Sequence, residues 1–243
     1  MIEGANSGVG YATSQVLAKA SEDFRVIMSG RSMDRLETAR AEIEAAGGLK
    51  GQLSTLLMDV TKEDSIQRAL HQVEKDFGQL DVLINNAASG FIDPNPRTRF
   101  EASFQTNLLG PVLVSDAFRP LLLKSKKPYT IYVTSGAGSI ALEQKPKRFE
   151  EPPNPEAYKS MKTALNMVMA CEFSKYKAQG LKSFAFCPGF VVSNLRGTSE
   201  EARNPGGLAG DPQVSGQSIL SIIQGERDAD VGKFVHKDGL YDW

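Results

Sequence analysis

Residues 1–13, MIEGANSGVGYAT, place three glycines, Gly4, Gly8 and Gly10, within the first ten positions of the chain. A glycine-rich turn between a strand and a helix lets the backbone approach a phosphate group at the positive N-terminus of that helix. The residues that follow fit a helix from about Gly8 through Ala20. The glycines alone are weak evidence, because glycine-rich turns without a ligand are common. The rest of the chain decides between these interpretations.

Short runs of apolar and β-branched residues follow along the chain. They show little polar alternation, which is typical of parallel strands that are buried on both faces. The sequence therefore predicts strands in RVIMSG at 25–30, STLLMDV at 54–60, DVLINNAA at 81–88, YTIYVTS at 129–135 and KSFAFCP at 182–188.

Amphipathic stretches separate these runs and predict helices. Apolar residues spaced by three and four follow Thr61, a candidate N-cap, and end at Gly78, which stands where a C′ glycine belongs. Ser32 likewise opens a helix that Gly47 and Gly48 close. Because strand and helix alternate throughout, we predict an α/β fold: a doubly wound, mostly parallel sheet between two layers of helices, with right-handed crossovers.

The composition predicts one soluble domain, 1–243. The 243 residues are 41% apolar, carry a net charge of -1, and intersperse 28 basic with 29 acidic side chains, which argues against nucleic-acid and membrane partners. No leader sequence and no long apolar stretch is seen, so we expect a cytoplasmic protein. Cys171 and Cys187 have no CxxC spacing and only two histidines are available, so we expect reduced thiols and no metal site.

The segment AYKSMK holds a tyrosine and a lysine four residues apart, Tyr158 and Lys162. Asn154 as cap and Pro155 at the first position predict a helix there, so both side chains leave one face. A phenol has an ordinary pKa near ~10, and an adjacent ammonium lowers that pKa by stabilising the phenolate. The pair therefore predicts a proton donor. Taken alone, a surface tyrosine beside a solvated lysine is the simpler interpretation.

Two further polar residues stand at unusual positions. Ser135 closes a predicted buried strand at its carboxyl end, the edge where open α/β sheets bind ligands, although a serine there also suits a turn cap. Asn107, in TNLLG, lies inside a helical stretch, where asparagine is unfavourable. Its amide is therefore either exposed or engaged in a specific contact.

Taken in order, these motifs resemble the short-chain dehydrogenase/reductase family, compact single-domain type, over nearly the whole chain. The glycine turn matches TGxxxGxG, Asp59 and Val60 match an adenine-contacting pair, NNAA at 85–88 matches NNAG, and PGFVVS at 188–193 matches PGxxxT. The family's catalytic tetrad falls on Asn107, Ser135, Tyr158 and Lys162.

The resemblance implies a Rossmann-fold oxidoreductase that uses NAD(P), similar to carbonyl reductases. Tyr158 protonates the developing alkoxide, Lys162 lowers the tyrosine pKa and holds the nicotinamide ribose, and Ser135 donates to the substrate oxygen. Asn107 holds a water that links Lys162 to solvent. The residues implied to bind the cofactor are Gly4, Asn6, Ser7, Gly8, Val9, Gly10, Arg31, Ser32, Asp59, Val60, Asn86, Ala87, Ala88, Tyr158, Lys162, Pro188, Gly189, Val191 and Ser193.

The end of the second predicted strand favours NADPH over NADH. Family members that prefer NAD usually carry an acidic residue there, which binds the adenosine 2′-hydroxyl. Here that place holds Gly30, followed by Arg31 and Ser32, and a guanidinium beside a hydroxyl suits a 2′-phosphate. We therefore expect NADP(H) to be preferred, with Arg31 as the discriminator. If Arg31 points to solvent, NAD is used as well.

The start of the chain departs from the family pattern. Only Met1, Ile2 and Glu3 precede the glycine turn, with Glu3 where threonine is usual. A typical strand has ~5 or 6 residues, so we expect the central first strand to be largely missing and the chain to be a shortened product. Ala88 also replaces the last glycine of NNAG, a small change unless its backbone needs a positive φ.

A second departure lies between Ser135 and Tyr158. The charged, proline-rich segment 143–155 makes this connection longer than is usual and predicts an exposed loop beside the site. It is similar to the longer insertion of monomeric carbonyl reductases, which covers a helix face used in tetramers. Monomer, homodimer and homotetramer therefore all stay open.

The residues expected to face the substrate are apolar: Phe91, Ile92, Phe190 and Leu195. They predict a hydrophobic ketone or aldehyde, although ordinary packing explains each of them equally well. The glycine- and proline-rich segment 194–212 is expected to be a mobile substrate lid. The alternative is a catalytically impaired nucleotide-binding or regulatory protein of the same fold. The short first strand favours that alternative, and the complete tetrad argues against it.

Overall fold

The computed structural model describes residues 1–90, 93–146 and 153–243, which contain one eight-stranded sheet. Its strands are β1 (Ile2–Glu3), β2 (Arg25–Gly30), β3 (Gln52–Leu57), β4 (Val82–Asn85), β5 (Tyr129–Val133), β6 (Lys182–Cys187), β7 (Phe234–His236) and β8 (Gly239–Leu240). They are hydrogen-bonded in the order β3-β2-β1-β4-β5-β6-β7-β8, and all neighbouring pairs are parallel except β7 and β8. The doubly wound order, with β1 near the centre, confirms the predicted α/β fold.

Helices connect the strands on both faces of the sheet. They are α1 (Gly8–Ala20), α2 (Met33–Ala45), α3 (Glu63–Phe77), α4 (Pro96–Phe104), α5 (Gly110–Leu122), α6 (Ile140–Glu143), α7 (Glu156–Tyr176), α8 (Glu200–Arg203) and α9 (Pro212–Gln224). A π-helical stretch, Gln105–Leu109, joins α4 to α5. In the part of the chain that the structure describes, no helix is both long and apolar enough to cross a membrane.

The apolar strand residues are buried on both faces of the sheet. In β2, Met28 packs in a cluster with Val9 of α1 and Leu36 of α2, whereas the preceding residue, Ile27, packs with Ile66 of α3. Successive residues of a strand point to opposite faces, so a strand covered by helices on both sides needs apolar residues at nearly every position. This explains the unbroken apolar runs in the sequence.

All five predicted strands are present, and their boundaries differ from the predicted runs in a consistent way. Several runs extend past the carboxyl end of the strand, to Val60 after β3, Ala88 after β4 and Ser135 after β5. Apart from Met58 and Val60, which are buried and apolar, the residues beyond these strand ends are polar or small. All of them except Met58 and Thr134 are residues assigned to the site from the sequence.

The boundaries of α3 confirm one cap and correct another. Gly78 has a φ of 73° and its N–H donates to the Glu74 carbonyl, as expected of a C′ glycine. The predicted N-cap Thr61 is wrong, because the N-cap is Lys62. The Thr61 hydroxyl instead donates to Asp59 Oδ1 at 2.7 Å, so it is not free to cap the helix.

The start of α7 also lies one residue from its predicted position. Pro155, not Asn154, is the N-cap, and the Lys159 N–H donates to the Pro155 carbonyl at 3.0 Å. Asn154 lies outside the helix with a left-handed φ of 53°. Proline is tolerated at an N-cap because its carbonyl can accept the first helical hydrogen bond, and the N–H that proline lacks has no partner within the helix there.

The first strand is only two residues long, in agreement with the prediction, yet it pairs with both neighbours. Ile2 lies opposite Met28 of β2 and Ile84 of β4. The Met1 amino group donates to the Val82 carbonyl at 2.8 Å, and the Ile84 N–H donates to the Met1 carbonyl at 2.9 Å. The short β1 therefore still joins the two halves of the sheet and leads directly into the glycine turn.

Candidate active site

The predicted site residues meet at one edge of the sheet, where the parallel strands end. The glycine turn follows β1, the NNAA segment spans the end of β4, Ser135 follows β5, and PGFVVS follows β6. In open α/β sheets the carboxyl ends of the strands form the ligand-binding edge. Parallel pairing thus brings together motifs that are far apart in the sequence.

Lys162 is buried, and α7 places it beside Tyr158. Its Nζ donates to the Val133 carbonyl at the end of β5 at 2.8 Å and lies 5.7 Å from the centroid of the Tyr158 ring. The Thr134 hydroxyl donates to the Lys162 backbone carbonyl at 3.1 Å. Strand β5 and helix α7 therefore fix the lysine and the tyrosine together.

The turn that follows Ser135 packs directly on α7. A Cβ at Gly138 would lie 2.7 Å from the backbone carbonyl carbon of Lys162, so only glycine fits there. The Gly138 carbonyl accepts from Thr163 Oγ1 at 3.0 Å and from Asn166 Nδ2 at 3.2 Å. These contacts hold the serine at the end of β5 close to the tyrosine on α7.

Burial dominates the electrostatics of the two titratable site residues. It raises the pKa of Tyr158 to about 12, although the nearby Ser135 hydroxyl and Arg196 guanidinium favour the phenolate. It lowers the pKa of Lys162 to about 8, an effect that Glu3 partly opposes. The expectation that Lys162 lowers the tyrosine pKa does not hold in this structure, because desolvation of the phenol outweighs its favourable contacts and the cation acting on it is Arg196.

Asn107 is fully buried in the π-helical stretch between α4 and α5, so its amide makes specific contacts. Its Oδ1 accepts from the Ser89 N–H at 2.9 Å, and its Nδ2 donates to the Ser89 carbonyl at 2.8 Å and to Ser103 Oγ at 2.9 Å. The side chain thereby fixes the turn after β4 to the helix layer. π-Helical turns of this kind are frequent at functional sites.

The glycine turn forms a cradle of closely packed backbone. Gly4 and Gly8 have φ values of 60° and 54°. A Cβ at Gly10 would lie 2.5 Å from the Gly4 carbonyl oxygen and 2.7 Å from Asn86 Nδ2, which itself donates to the Glu3 carbonyl at 2.7 Å. A side chain would fill this cradle, and α1 begins beside it, so the turn fits the pyrophosphate of a dinucleotide.

The PGFVVS segment reaches this turn from β6. A Cβ at Gly8 would lie 3.1 Å from the Ser193 Cβ. Val191 is buried and forms a bridge with Gly210, supported by the Val192 N–H donating to the Gly210 carbonyl at 3.0 Å. The residues after β6 therefore connect the glycine turn to the segment 194–212.

The end of β2 presents a free cation at the edge of the cradle. Arg31 is exposed and makes no hydrogen bond or ion pair with any residue that the structure describes, and Ser32 is the N-cap of α2. Asp59, after β3, accepts from the N–H and the hydroxyl of Thr61. The adjacent Val60 is buried, and a Cβ at Gly110 would lie 2.9 Å from its Cγ2.

The other predicted cofactor residues lie along the same edge. Ala88 has no positive φ, because Asn154 is the only non-glycine residue with one among residues 1–90, 93–146 and 153–243. Replacement of the family's glycine by Ala88 therefore causes no backbone strain. The remaining members of the predicted set are Asn6 and Ser7 in the glycine turn, Val9 in α1, Ala87 after β4, and Pro188 and Gly189 after β6.

Two residues that could not be assigned to the site from the sequence act electrostatically on the tyrosine. Cys187, the last residue of β6, is buried, and its Sγ accepts from the Gly136 N–H at 3.0 Å and the Gly189 N–H at 3.4 Å. Burial raises the pKa of this thiol. The second residue is Arg196. Neither residue could be assigned from the sequence, because no local sequence pattern indicates that these two positions belong to the site. Gly138, Thr163 and Asn166, which hold the turn on α7, were missed for the same reason.

Arg196 organises the segment expected to face the substrate. Its guanidinium donates to the backbone carbonyls of Val191, Ala202 and Arg203 and lies 4.6 Å from the centroid of the Phe190 ring. Burial lowers its pKa. Within the described residues it has no carboxylate partner, so it places an unneutralised positive charge near Tyr158.

Part of the expected substrate side can be located. Phe190 is exposed, and the Leu195 carbonyl accepts from the Gly90 N–H at 3.2 Å, which joins the turn after β4 to this segment. Phe91, Ile92 and residues 147–152 of the long connection lie outside the described residues. Trp243 stacks on Phe234 of its own chain at 5.6 Å between ring centroids.

Comparison with known proteins decides the family. A family model described as short chain dehydrogenase matches residues 1–204. The chain belongs to the short-chain dehydrogenase/reductase family. The short-chain dehydrogenase/reductase tropE of Talaromyces stipitatus is 32% identical, over 98% of this chain and 95% of its own length.

The fold of this short-chain dehydrogenase/reductase is similar to those of several solved structures. The NADPH-bound carbonyl reductase from chicken fatty liver has a TM-score of 0.82 at 25% identity, over 100% of this chain and 97% of its own. The 3-ketoacyl-(acyl-carrier-protein) reductase from Brucella melitensis, complexed with NADH, has a TM-score of 0.77 at 20% identity, over 97% of this chain and 94% of its own. The latter likeness shows the fold alone.

This short-chain dehydrogenase/reductase is therefore an NAD(P)-dependent oxidoreductase that acts on a small molecule. The structural neighbours include proteins with NADPH, NADP and NADH, so they do not decide between the nucleotides. They do not favour the catalytically impaired alternative, and the two-residue β1 leaves the glycine cradle intact.

Proposed function

We propose that this short-chain dehydrogenase/reductase is an NADP(H)-dependent enzyme that interconverts a carbonyl and an alcohol on a hydrophobic small molecule, with Tyr158 as acid and base. One observation carries this proposal. Tyr158, Ser135 and the Lys162 ammonium lie together at the carboxyl edge of the sheet, beside the glycine cradle. A protein that only binds a nucleotide has no need for a proton donor in this position.

The chemistry divides between the cofactor and these side chains. A bound nicotinamide supplies the hydride. Ser135 donates a hydrogen bond to the carbonyl oxygen of the substrate, and the Tyr158 hydroxyl gives that oxygen its proton as negative charge develops. Lys162 would hold the nicotinamide ribose as a cation, because its pKa of about 8 keeps it largely an ammonium at neutral pH, and the Arg196 guanidinium favours the phenolate that remains.

The proton that Tyr158 gives up has to be replaced from solvent. We assign Asn107 the role of holding a water that links Lys162 to the outside. Its Oδ1 accepts one hydrogen bond, from the Ser89 N–H, and an amide oxygen has two lone pairs. One acceptor site therefore remains for such a water, whereas the Nδ2 already makes two hydrogen bonds.

The cofactor would lie along the carboxyl edge of the sheet. Backbone N–H groups of the glycine turn and the start of α1 suit its pyrophosphate, and Asp59 with Val60 suits the adenine. The NNAA and PGFVVS segments would hold the nicotinamide end of the cofactor. The full set is Gly4, Asn6, Ser7, Gly8, Val9, Gly10, Arg31, Ser32, Asp59, Val60, Asn86, Ala87, Ala88, Tyr158, Lys162, Pro188, Gly189, Val191 and Ser193.

The substrate would enter over the segment 194–212, which we assign as a lid within a single domain, 1–243. The lid is supported at its base by the pairing of Val191 with Gly210. Exposed Phe190 and partly buried Leu195 give this side an apolar surface, which suits a hydrophobic ketone or aldehyde. Monomer, homodimer and homotetramer are the three candidate assemblies, and light scattering of the purified chain distinguishes them.

A thermal-shift titration with NADPH and NADH in parallel tests the proposal. A ligand at a hundred times its Kd stabilises the folded chain by about 2.7 kcal/mol, which a melting curve detects. We expect a larger shift with NADPH, followed by NADPH-dependent reduction of apolar ketones. No shift with either nucleotide, or faster turnover of small charged keto acids than of apolar ketones, contradicts the proposal.

The substitution Arg31→Ala tests the nucleotide preference. Loss of one charge-assisted contact to the 2′-phosphate should raise the Kd of NADPH by about tenfold and leave that of NADH unchanged. Arg68→Ala is the control, because Arg68 is an exposed arginine of α3 that pairs with Asp64. An unchanged preference in the Arg31 variant contradicts the assignment of Arg31.

A further inference from the structure

Glu3 is a buried acid at the start of the glycine turn with poorly satisfied carboxylate oxygens. It is 0% exposed, neither oxygen makes a hydrogen bond of ordinary length and angle, and the backbone donor that acts on it is the Ala87 N–H. Such groups are rare, because removing a carboxyl from water without a partner is costly. In the sequence, Glu3 stands out only as a departure from the family pattern, and the proposed reaction does not use it.

The strand register surrounds Glu3 with further unpartnered polar atoms. Glu3 pairs with Ser29 of β2, and Ile2 pairs with Ile84 of β4, so Glu3 lies level with Asn85. The Ser29 hydroxyl and the Asn85 Oδ1 are also buried without a partner. Residues in register on parallel strands point to the same face, so these atoms form one buried polar cluster across the centre of the sheet.

The charged groups that face this cluster come from two directions. The Met1 amino group directly precedes the strand that carries Glu3. Lys162 comes from α7, and its Nζ binds the Val133 carbonyl on β5, one residue beyond Tyr132, which pairs with Asn85, so the ammonium lies at the level of Glu3 two strands away and acts on it electrostatically. Lys162 in turn faces the Cys187 thiol of β6 and the Tyr158 ring of its own helix. Among the described residues, Lys162 forms no ion pair with a carboxylate at contact distance, so Glu3 is the acid that acts on it.

The two side chains oppose each other's loss of charge. Burial raises the pKa of Glu3 to about 8, while the Ala87 N–H and Lys162 favour the carboxylate. Burial lowers the pKa of Lys162 to about 8, while Glu3 favours the ammonium. Both groups therefore change charge in the same pH range, and each is the other's partner there.

We propose that Glu3 is a positioning residue that provides the buried counter-charge of Lys162 and sets the upper pH limit at which Lys162 is an ammonium. The consequence for turnover rests on the proposed function. The charge coupling between Glu3 and Lys162 does not rest on the proposed function, because both residues belong to this chain and no cofactor or substrate takes part.

A double-mutant cycle on the chain without ligand tests the coupling. Folded Glu3 keeps a proton up to about pH 8, whereas its ordinary pKa is 4.5, so the folded state loses stability as the pH rises between these values. Glu3→Gln removes this loss, and its melting temperature should exceed that of the parent by an amount that grows with pH. In a Lys162→Met background the gain near pH 8.5 should be larger, because Glu3 there has no cation. Near pH 5.5, where Glu3 is neutral, the gain should be equal in both backgrounds.

Two controls keep this test decisive. Glu3→Thr repeats the cycle with a smaller neutral side chain in case the glutamine is poorly accommodated. Ser29→Ala removes a neighbouring unpartnered hydroxyl without changing charge and should leave the coupling intact. All variants share one N-terminus, so the Met1 amino group is constant. Equal gains in both backgrounds at every pH overturn the proposal.

The pH profile of NADPH-dependent reduction gives a second readout, which a purely structural role of Glu3 would not move. In Glu3→Gln the alkaline limb of kcat should move to lower pH by about one unit, with little change in KM at neutral pH. An unmoved limb with active enzyme overturns the proposal. If the parent chain reduces no ketone, the proposed function fails, and the cycle still decides the role of Glu3.

Discussion

The two sides of the candidate active site are held together in different ways. On the cofactor side, backbone packs on backbone: a Cβ at Gly10 would lie 2.5 Å from the Gly4 carbonyl oxygen. On the substrate side, the guanidinium of Arg196 binds three backbone carbonyls, and the bridge between Val191 and Gly210 closes the base of the segment. The first arrangement tolerates no side chain, whereas the second depends on one side chain.

This difference separates what the fold requires from what it leaves adjustable. The glycine turn carries its constraint in residues a few positions apart, so a short sequence pattern reveals it. The segment 194–212 is held by contacts between residues at its two ends and by the guanidinium of Arg196. That guanidinium binds backbone carbonyls, which every residue type has, so no short sequence pattern reveals these contacts. We therefore expect substitutions in the glycine turn to disrupt folding, and substitutions on the substrate side to leave the chain folded but with a less ordered segment 194–212.

Tyr158→Phe should have the largest effect, because the tyrosine lies between the two sides and serves the reaction itself. Loss of the proton donor should lower kcat by about 10² to 10⁴. The melting temperature and the NADPH-induced thermal shift should stay close to those of the parent, since the ring still packs. A variant that retains parental turnover would show that Tyr158 is not the acid.

Gly10→Ala tests the cofactor side. The added methyl group has to displace backbone at 2.5 Å, so we expect a loss of about 1 to 3 kcal/mol in the free energy of unfolding and loss of the NADPH-induced thermal shift. Gly210→Ala is the matched control on the substrate side, because its Cβ would meet only the Phe190 carbonyl oxygen at 3.6 Å. Equal effects of the two alanines in thermal melts would remove the distinction between the sides.

Arg196→Ala tests the substrate side. The three carbonyls lose a charged donor, which should lower the free energy of unfolding by about 1 to 2 kcal/mol and raise the KM of an apolar ketone more than the Kd of NADPH. Arg203→Ala removes the same charge from the same segment, and its side chain makes no hydrogen bond within the described part of the chain. If both variants behave alike, Arg196 does not organise the segment.

The smallest expected effect is on the rate at which the Cys187 thiol reacts with a thiol reagent, which is a second test of the role of Arg196. Its thiol is buried between the turns after β5 and β6, and burial raises its pKa, so it should react slowly with a thiol reagent in the native chain. In a Cys171→Ser background, which removes the exposed thiol, Arg196→Ala should speed this reaction several-fold. An unchanged labelling rate would mean that the segment does not open when Arg196 is removed.

Much of the fold could be predicted because its signals are local. The strands were found from unbroken apolar runs, and Gly78 was found from its place after an amphipathic stretch. The errors at Thr61 and Pro155 have the same origin. A hydroxyl or a proline near a helix start suits several positions, and the choice depends on neighbours such as Asp59 that the helix pattern does not include.

The sequence predicted which motifs the fold brings together at the carboxyl edge of the sheet, but it did not predict the electrostatics there. The sequence placed Tyr158 and Lys162 on one helix, and from this alone a lowered tyrosine pKa follows. In the folded chain the desolvation of the phenol outweighs its favourable contacts, and Arg196 is the cation that acts on it. Desolvation depends on everything that surrounds a group, so no spacing rule contains it.

By itself, the sequence determined the α/β fold, the glycine turn and the order of the motifs along the chain, because periodicity and turn chemistry act over a few residues. Only the tertiary structure decided that the charge of Arg196 acts on the tyrosine, that Gly138 packs on α7, and that Glu3 is buried where the charge of Lys162 acts on it. These facts arise from distances between residues that are remote in the sequence. Parallel pairing and helix packing set those distances, and with them the charges that each side chain meets.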